Sequence, residues 1–247
     1  MTFPFNPYEE ELEQLNETIR LWPSVDLYLR RAYIFEFLND HDLRIADLTS
    51  AIELDPSRVR VYIQRGIAWN HIQEYAKAIA DFGEALRIDS SSSVAYCDRG
   101  ISWCHNEEYY RAIADFDSAL RINPNGASAY FNRGQCYSCV DKWQLAIADF
   151  DAALQIRPDM SRVRHCRGRA WLELGEYDKA IDDFDEAVRR PLSTAQYRIY
   201  VRSWEHRPAS KVVLQRGCNS SCAKNDGCRR STRAGIRYGC GGRKANT

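Results

Sequence analysis

The apolar positions of this chain recur with a period of 34 residues. The run Ala78-Ile79-Ala80-Asp81-Phe82 returns at 112–116 and 146–150, and at 180–184 with Asp182 in place of the second alanine; the four copies are followed by Ala85-Leu86, Ala119-Leu120, Ala153-Leu154 and Ala187-Val188. Ala78, Ile79, Phe82, Ala85 and Leu86 stand at i, i+1, i+4, i+7 and i+8, the apolar stripe of an amphipathic helix. Pro56, Pro124 and Pro158 lie just beyond the stripe, with Ser90 standing in once. Proline there ends one helix and opens the next connection.

A second pattern precedes each stripe. Arg65-Gly66 returns as Arg99-Gly100, Arg133-Gly134 and Arg167-Gly168, and Arg31-Ala32 begins the series. Three positions before the arginines stand Tyr28, Tyr62, Tyr96 and Tyr130, with Arg164 in the last copy; four after them stand Phe35, Trp69, Trp103, Tyr137 and Trp171. A glycine inside a helix costs about 0.8–1 kcal/mol relative to alanine, so its return at 66, 100, 134 and 168 implies close crossing of two helices. The pattern predicts five helix pairs, over 25–58, 59–92, 93–126, 127–160 and 161–191. One pair cannot cover its own apolar face, so neighbours must stack and share a core.

The flanks extend the array. Leu12, Leu15, Thr18, Ile19, Leu21 and Pro23 align on Ile147, Phe150, Ala153, Leu154, Ile156 and Pro158, which predicts a capping helix over 8–23, a half unit. Tyr197, Val201 and Trp204 reproduce the aromatic, small and aromatic places with a one-residue deletion, predicting a closing helix over 192–207. Terminal units of such arrays are atypical as a rule.

These residues resemble the tetratricopeptide repeat. The matching features are an aromatic at the fourth place, a small residue at the eighth, an aromatic at the eleventh, Ala at the twentieth, Phe at the twenty-fourth, Ala at the twenty-seventh and Pro at the thirty-second. The first unit departs most, with Arg44 and Leu48 where Ala and Phe are expected, and Arg replaces the commoner Leu at the seventh place. The resemblance implies an all-α, right-handed α-solenoid of stacked antiparallel helix pairs that binds protein or peptide segments in a concave groove. In that family the second, fifth, ninth, twelfth and thirteenth places of each first helix point into the groove. Carried over, the candidate binding residues are Arg60, Ile63, Ile67, Asn70 and His71; Val94, Cys97, Ile101, Cys104 and His105; Ser128, Phe131, Gln135, Ser138 and Cys139; and Arg162, His165, Arg169, Leu172 and Glu173. Apolar anchors with an acidic end would suit this surface. The basic and asparagine clamp by which some relatives grip chaperone tails is absent in this register, where Ile63 and Ile67 stand.

Charge divides the chain. Residues 1–190 carry 22 Lys/Arg against 32 Asp/Glu, and residues 191–247 carry 12 against 2, under a formal net charge of zero. The stretch 208–247 is rich in Arg, Gly, Ser and Cys with few aliphatic residues, a composition that predicts disorder. Its cysteines Cys218, Cys222, Cys228 and Cys240 could instead close a small zinc knuckle, its basic charge could serve nucleic acid, or the stretch could be unselected read-through. A nucleic-acid-associated protein with this element as its binding part is therefore the alternative to a peptide-binding scaffold. No basic leader with an apolar core opens the chain, and no run reaches the roughly 18–20 apolar residues of a membrane span. A soluble, cytoplasmic protein with reduced thiols is expected.

Little in the pattern points to catalysis, a cofactor or a bound metal. Cys136-x-x-Cys139 has the spacing of redox and zinc motifs, but in other units its places hold Ala68 or Ser102 and His71 or His105, so small-residue packing is the expectation. His71 and His105 are one repeat apart, too far for ligands that must each approach a zinc ion to about 2 Å. The carboxylates of the second helices recur with the period, and Arg65, Arg99, Arg133 and Arg167 are expected to pair with Asp81, Asp115, Asp149 and Asp183. No Ser/His/Asp set, phosphate loop or HExxH pattern is visible.

Overall fold

The computed structural model describes residues 8–189, all of which belong to the compact unit Met1–Ser193. The helix expected over 192–207 and the basic stretch 208–247 lie outside the described residues. Within them the chain forms eleven helices and no strand: α1 (Glu9–Leu21), α2 (Val25–Phe37), α3 (His41–Leu54), α4 (Val59–His71), α5 (Tyr75–Ile88), α6 (Ser93–His105), α7 (Tyr109–Ile122), α8 (Ala127–Cys139), α9 (Trp143–Ile156), α10 (Ser161–Glu173) and α11 (Tyr177–Arg189). Helices α2/α3, α4/α5, α6/α7, α8/α9 and α10/α11 pack as pairs, each second helix packs on the first helix of the next pair, and α1 packs on α2. This is the solenoid architecture the period predicts.

The periodic glycines make room for a phenylalanine ring. A Cβ built on Gly66 would stand 2.8 Å from Phe82 Cε1, and one on Gly100, Gly134 or Gly168 would stand 2.9, 2.7 or 2.9 Å from the same atom of Phe116, Phe150 or Phe184. Phe82, Phe116 and Phe150 are fully buried by this contact. In the first pair the glycine is replaced by Ala32 and the ring by Leu48, both buried in one cluster. The smaller partner vacates the space that the added methyl group occupies, so the two departures of the first unit compensate each other.

A buried ion pair recurs beside this contact. Arg31, Arg65, Arg99, Arg133 and Arg167 each donate from Nε to one oxygen of the aspartate sixteen residues on, at 2.8 Å. Each donates from Nη2 to the other oxygen at 2.5–2.7 Å. This bidentate fork fits the guanidinium to the carboxylate. Its third arm reaches back to the preceding unit: Nη1 donates to Asn16 Oδ1 from Arg31, to Thr49 Oγ1 from Arg65, to Asp117 from Arg133 and to Asp151 from Arg167. Arg99 has no such arm, because the corresponding place is Gly83, which has no side chain. The contact of Arg31 with Asn16 ties α1 into the ladder.

Each turn between paired helices is closed by a left-handed residue at the fifteenth place: Asn39, Gln73, Glu107, Asp141 and Gly175, with φ between 58° and 79°. The next amide returns to the carbonyl of the eleventh place at 2.9 Å, as from Glu108 to Trp103, which satisfies a carbonyl the helix end leaves open.

Candidate functional site

Successive first helices touch one another, α4 with α6, α6 with α8 and α8 with α10, whereas no comparable contact joins α5 to α7 or α7 to α9. Such a stack curves with its first helices on the inside, and the candidate residues belong to those first helices.

Their exposure follows their place. Arg60, His71, Val94, His105 and Ser128 are exposed; Ile63, Ile67, Asn70, Cys97, Ile101, Gln135, Arg162, His165 and Arg169 are half-buried. Phe131 differs. It is 6% exposed and belongs to the core around Phe150, and the guanidinium of Arg162 lies 5.1 Å from its ring centroid. Around the neighbouring helix, Gln135 Nε2 approaches Cys166 Sγ at 4.0 Å and the ring of His165 packs against Phe184 at 5.2 Å. Burial, with Arg169 nearby, pushes the His165 imidazole below its ordinary value. The two expected surface histidines do not meet. His71 stands edge to face with His41, 4.8 Å between centroids, and His105 stacks on Tyr75 at 5.0 Å. Among the described residues no group of three or more His, Cys, Asp or Glu is arranged to hold a metal ion, and no helix is long and apolar enough to cross a membrane.

Wall positions of the first unit add an aromatic patch. Tyr33 and Phe37, at its ninth and thirteenth places, are each 57% exposed and meet edge to face, and Tyr8 stacks on Phe37. Extending the register by one unit would have found them. Beside them Arg44 occupies the place that holds alanine in the other units. It is 3% exposed and pairs with Glu36 at 3.1 Å, and its Nη1 has no hydrogen-bond partner. Burial lowers its pKa and Glu36 opposes that shift. At the turn from α7 into α8 a hollow of about 320 Å3 opens beside Gly126, Ala127 and Ser128, with Val94, Cys97 and Ile156 on its sides and Arg157 at its edge.

One contact corrects the expectation of reduced, merely packed cysteines. Cys104 of α6 and Cys136 of α8 are joined as a disulfide, with Cα atoms 6.7 Å apart. Cys139, the other half of the C-x-x-C spacing, remains outside that bond. The pairing runs from the twelfth place of one unit to the tenth of the next, a relation that spacing along one helix does not reveal.

Two family models match the chain, both described as the tetratricopeptide repeat, one over residues 25–58 and one over 127–160. Among solved structures, a MamA protein is similar at 21% identity and a TM-score of 0.62, covering 75% of this chain and 97% of that one. MamA from residue 41 onward, from Desulfovibrio magneticus RS-1, is similar at 16% identity and a TM-score of 0.63, covering 67% and 93%. YrrB, described as a TPR protein with an unusual peptide-binding site, is similar at 20% identity and a TM-score of 0.59, covering 76% and 97%. At such identities the likeness speaks for the fold. A comparison with curated proteins finds no match.

Proposed function

Because the chain is a tetratricopeptide-repeat protein, we propose that it is a non-catalytic scaffold or adaptor that holds a segment of a partner protein against the inner wall of the solenoid. The observation that carries this reading is the graded chemistry of that wall. Exposed Tyr33 and Phe37 stand at one end, half-buried Ile63, Ile67 and Ile101 follow, and Arg162, His165 and Arg169 stand towards the other. A segment with aromatic-accepting or aliphatic anchors and an acidic end matches this order. Preformed helices hold these side chains before the partner arrives, which limits the ordering cost of association. The peptide-binding description of YrrB agrees with a role of this class.

Capture from native extract tests the reading. The full chain is compared with a Tyr33→Ser/Phe37→Ser variant and an Arg60→Glu/Arg169→Glu variant, all four residues being half-buried or exposed, with far-UV circular dichroism as the check on folding. Loss of the same captured protein from both variants is expected, and equal capture by all three sinks the reading. The excess of basic residues over 191–247 keeps a second reading open, nucleic-acid binding through that stretch. Salt-dependent RNA or DNA binding that disappears when 191–247 is deleted would favour it.

A further inference from the structure

We propose that Cys104 is a thiol-modification site that takes a low-molecular-weight disulfide, with Cys136 as its resolving cysteine. The two cysteines occupy equivalent places, the twelfth of one unit and the tenth of the next, which neighbouring junctions fill with different side chains. At the preceding junction the same places are Asn70 and Ser102, whose side chains share a hydrogen bond of 2.9 Å. At the following one they are Ser138 and Ala170. The fold therefore tolerates a polar contact, a covalent one or simple packing at this point, so the sulfur bond is an addition to the solenoid rather than a condition of it. With Cα atoms 6.7 Å apart, the pair lies within the span that a disulfide bridges without backbone rearrangement.

The two sulfurs differ in access, and this orders the chemistry. Cys104 is half-buried on the inner wall, whereas Cys136 is 1% exposed within the core around Phe116. An incoming reagent therefore meets Cys104. Its thiolate attacks one sulfur of the small disulfide, forming a mixed disulfide and releasing one thiolate, which takes up a proton. Cys136, after losing its proton, attacks Cys104 Sγ and breaks the mixed disulfide, releasing the second small thiol. Two protein thiols are oxidised by two electrons and the small disulfide is reduced to two thiols. Excess small thiol drives the same steps in reverse. Cys97 competes poorly, because burial and the adjacent Asp98 push its thiol up to about 12. The closed bond ties α6 to α8 across 32 residues and fixes the spacing of two neighbouring wall helices.

The test uses the full chain equilibrated with defined ratios of reduced to oxidised glutathione, alkylated under denaturing conditions and mapped by mass spectrometry. A cross-linked Cys104–Cys136 peptide pair is expected at oxidising ratios and is lost at reducing ones. In the Cys136→Ala variant, glutathione accumulates on Cys104 in preference to Cys97. In the Cys104→Ser variant, Cys136 stays unmodified in the native protein. Both replacements are side chains that the equivalent places already hold, at Ala68 and Ala170 for Cys136 and at Ser138 for Cys104, so the variants fold. In the wild type the urea midpoint rises on oxidation, and in Cys104→Ser this rise is absent. Failure of the cross-link to form at any ratio overturns the proposal, as does glutathione on Cys136 of the native Cys104→Ser variant or an adduct on Cys97 as abundant as that on Cys104 in Cys136→Ala.

Discussion

Substituting Gly100 by alanine and Phe116 by leucine, singly and together, tests the physical basis of the repeat. The methyl group added at Gly100 would stand 2.9 Å from Phe116 Cε1 and 3.0 Å from Cζ, well inside van der Waals contact. Relief of the glycine's helix penalty contributes about 0.8–1 kcal/mol of stability, and forcing a methyl into a packed site costs about 1–3 kcal/mol. The single variant Gly100→Ala is therefore expected to lose about 1 kcal/mol. Phe116→Leu alone leaves part of a fully buried ring's volume empty and is expected to lose about 1–2 kcal/mol. Together the two changes reproduce the pair Ala32 and Leu48, which the first unit packs to 2% and 0% exposure. The double variant should then be more stable than the sum of the singles by about 1–2 kcal/mol. Urea unfolding followed by far-UV circular dichroism measures all four corners of the cycle. Midpoints are compared only while the slope is unchanged, because a solenoid can lose units separately. Additivity within about 0.5 kcal/mol would mean that the methyl and the ring do not compete for one space, and the explanation given for the periodic glycine would fail.

Asp98 offers a pH-dependent test. Burial raises its carboxyl to about 6, and the equivalent place of the next unit holds Asn132, so Asp98→Asn should fold. A folded pKa above the unfolded one lowers stability where the group is ionised, so the substitution should stabilise by about 1–3 kcal/mol above pH 6 and lose that advantage as pH falls towards 4. Unfolding midpoints of the two proteins that run parallel from pH 4 to 8 would refute this. Gly83→Asp should supply the missing third arm for Arg99, since a Cβ there meets nothing within 4 Å. Against Gly83→Asn, whose amide oxygen can accept from Arg99 as Asn16 does from Arg31, the gain from charge alone should be about 0.2–1 kcal/mol and should shrink in high salt; equal stability of the two at low salt would show that Arg99 does not feel the charge of the new carboxylate.

The architecture was legible in the sequence because its causes are periodic. The glycine that recurs from 66 implies a close helix crossing, and the arginine and aspartate sixteen residues apart imply a pair between the two helices of a unit. Contacts that skip from one unit to the next were less legible. Joining Cys104 to Cys136 requires knowing that the twelfth place of one first helix faces the tenth of its neighbour, a relation set by how the helices stack. The exposed patch of Tyr33 and Phe37 is a different case. Arg44 and Leu48 depart from the pattern only on the second helix of the first unit, and its wall positions follow the same register, in which Tyr33 and Phe37 fill the ninth and thirteenth places. Phe131 shows the opposite effect, since a wall position by register becomes a core position once Arg162 closes over it.

Two of these exceptions, the Cys104–Cys136 pair and Phe131 under Arg162, share a location, the junction between successive first helices, and that bears on how the solenoid can act. The Gly-to-Phe contact and the Arg–Asp fork lie inside each pair and scarcely vary, so they hold every pair to the same shape. The twelfth and tenth places of successive units are hydrogen-bonded at Asn70–Ser102, covalently joined at Cys104–Cys136 and filled by serine and alanine at Ser138 and Ala170. The third arm of the arginine ladder varies in the same way, neutral at Thr49, absent at Gly83 and charged at Asp117 and Asp151. Each pair is thus a fixed unit and each junction a separately set coupling. A curved wall built of rigid units changes its curvature only at its junctions, so the residues that set those couplings govern how the wall fits what it holds. The junction of α4 and α5 with α6 lacks a third arm and relies on a hydrogen bond, while the next is closed by sulfur and by Asp117. The two junctions beside α6 therefore differ in what couples them, the first polar and packed around Leu86 and Ala95, the second covalent and charged.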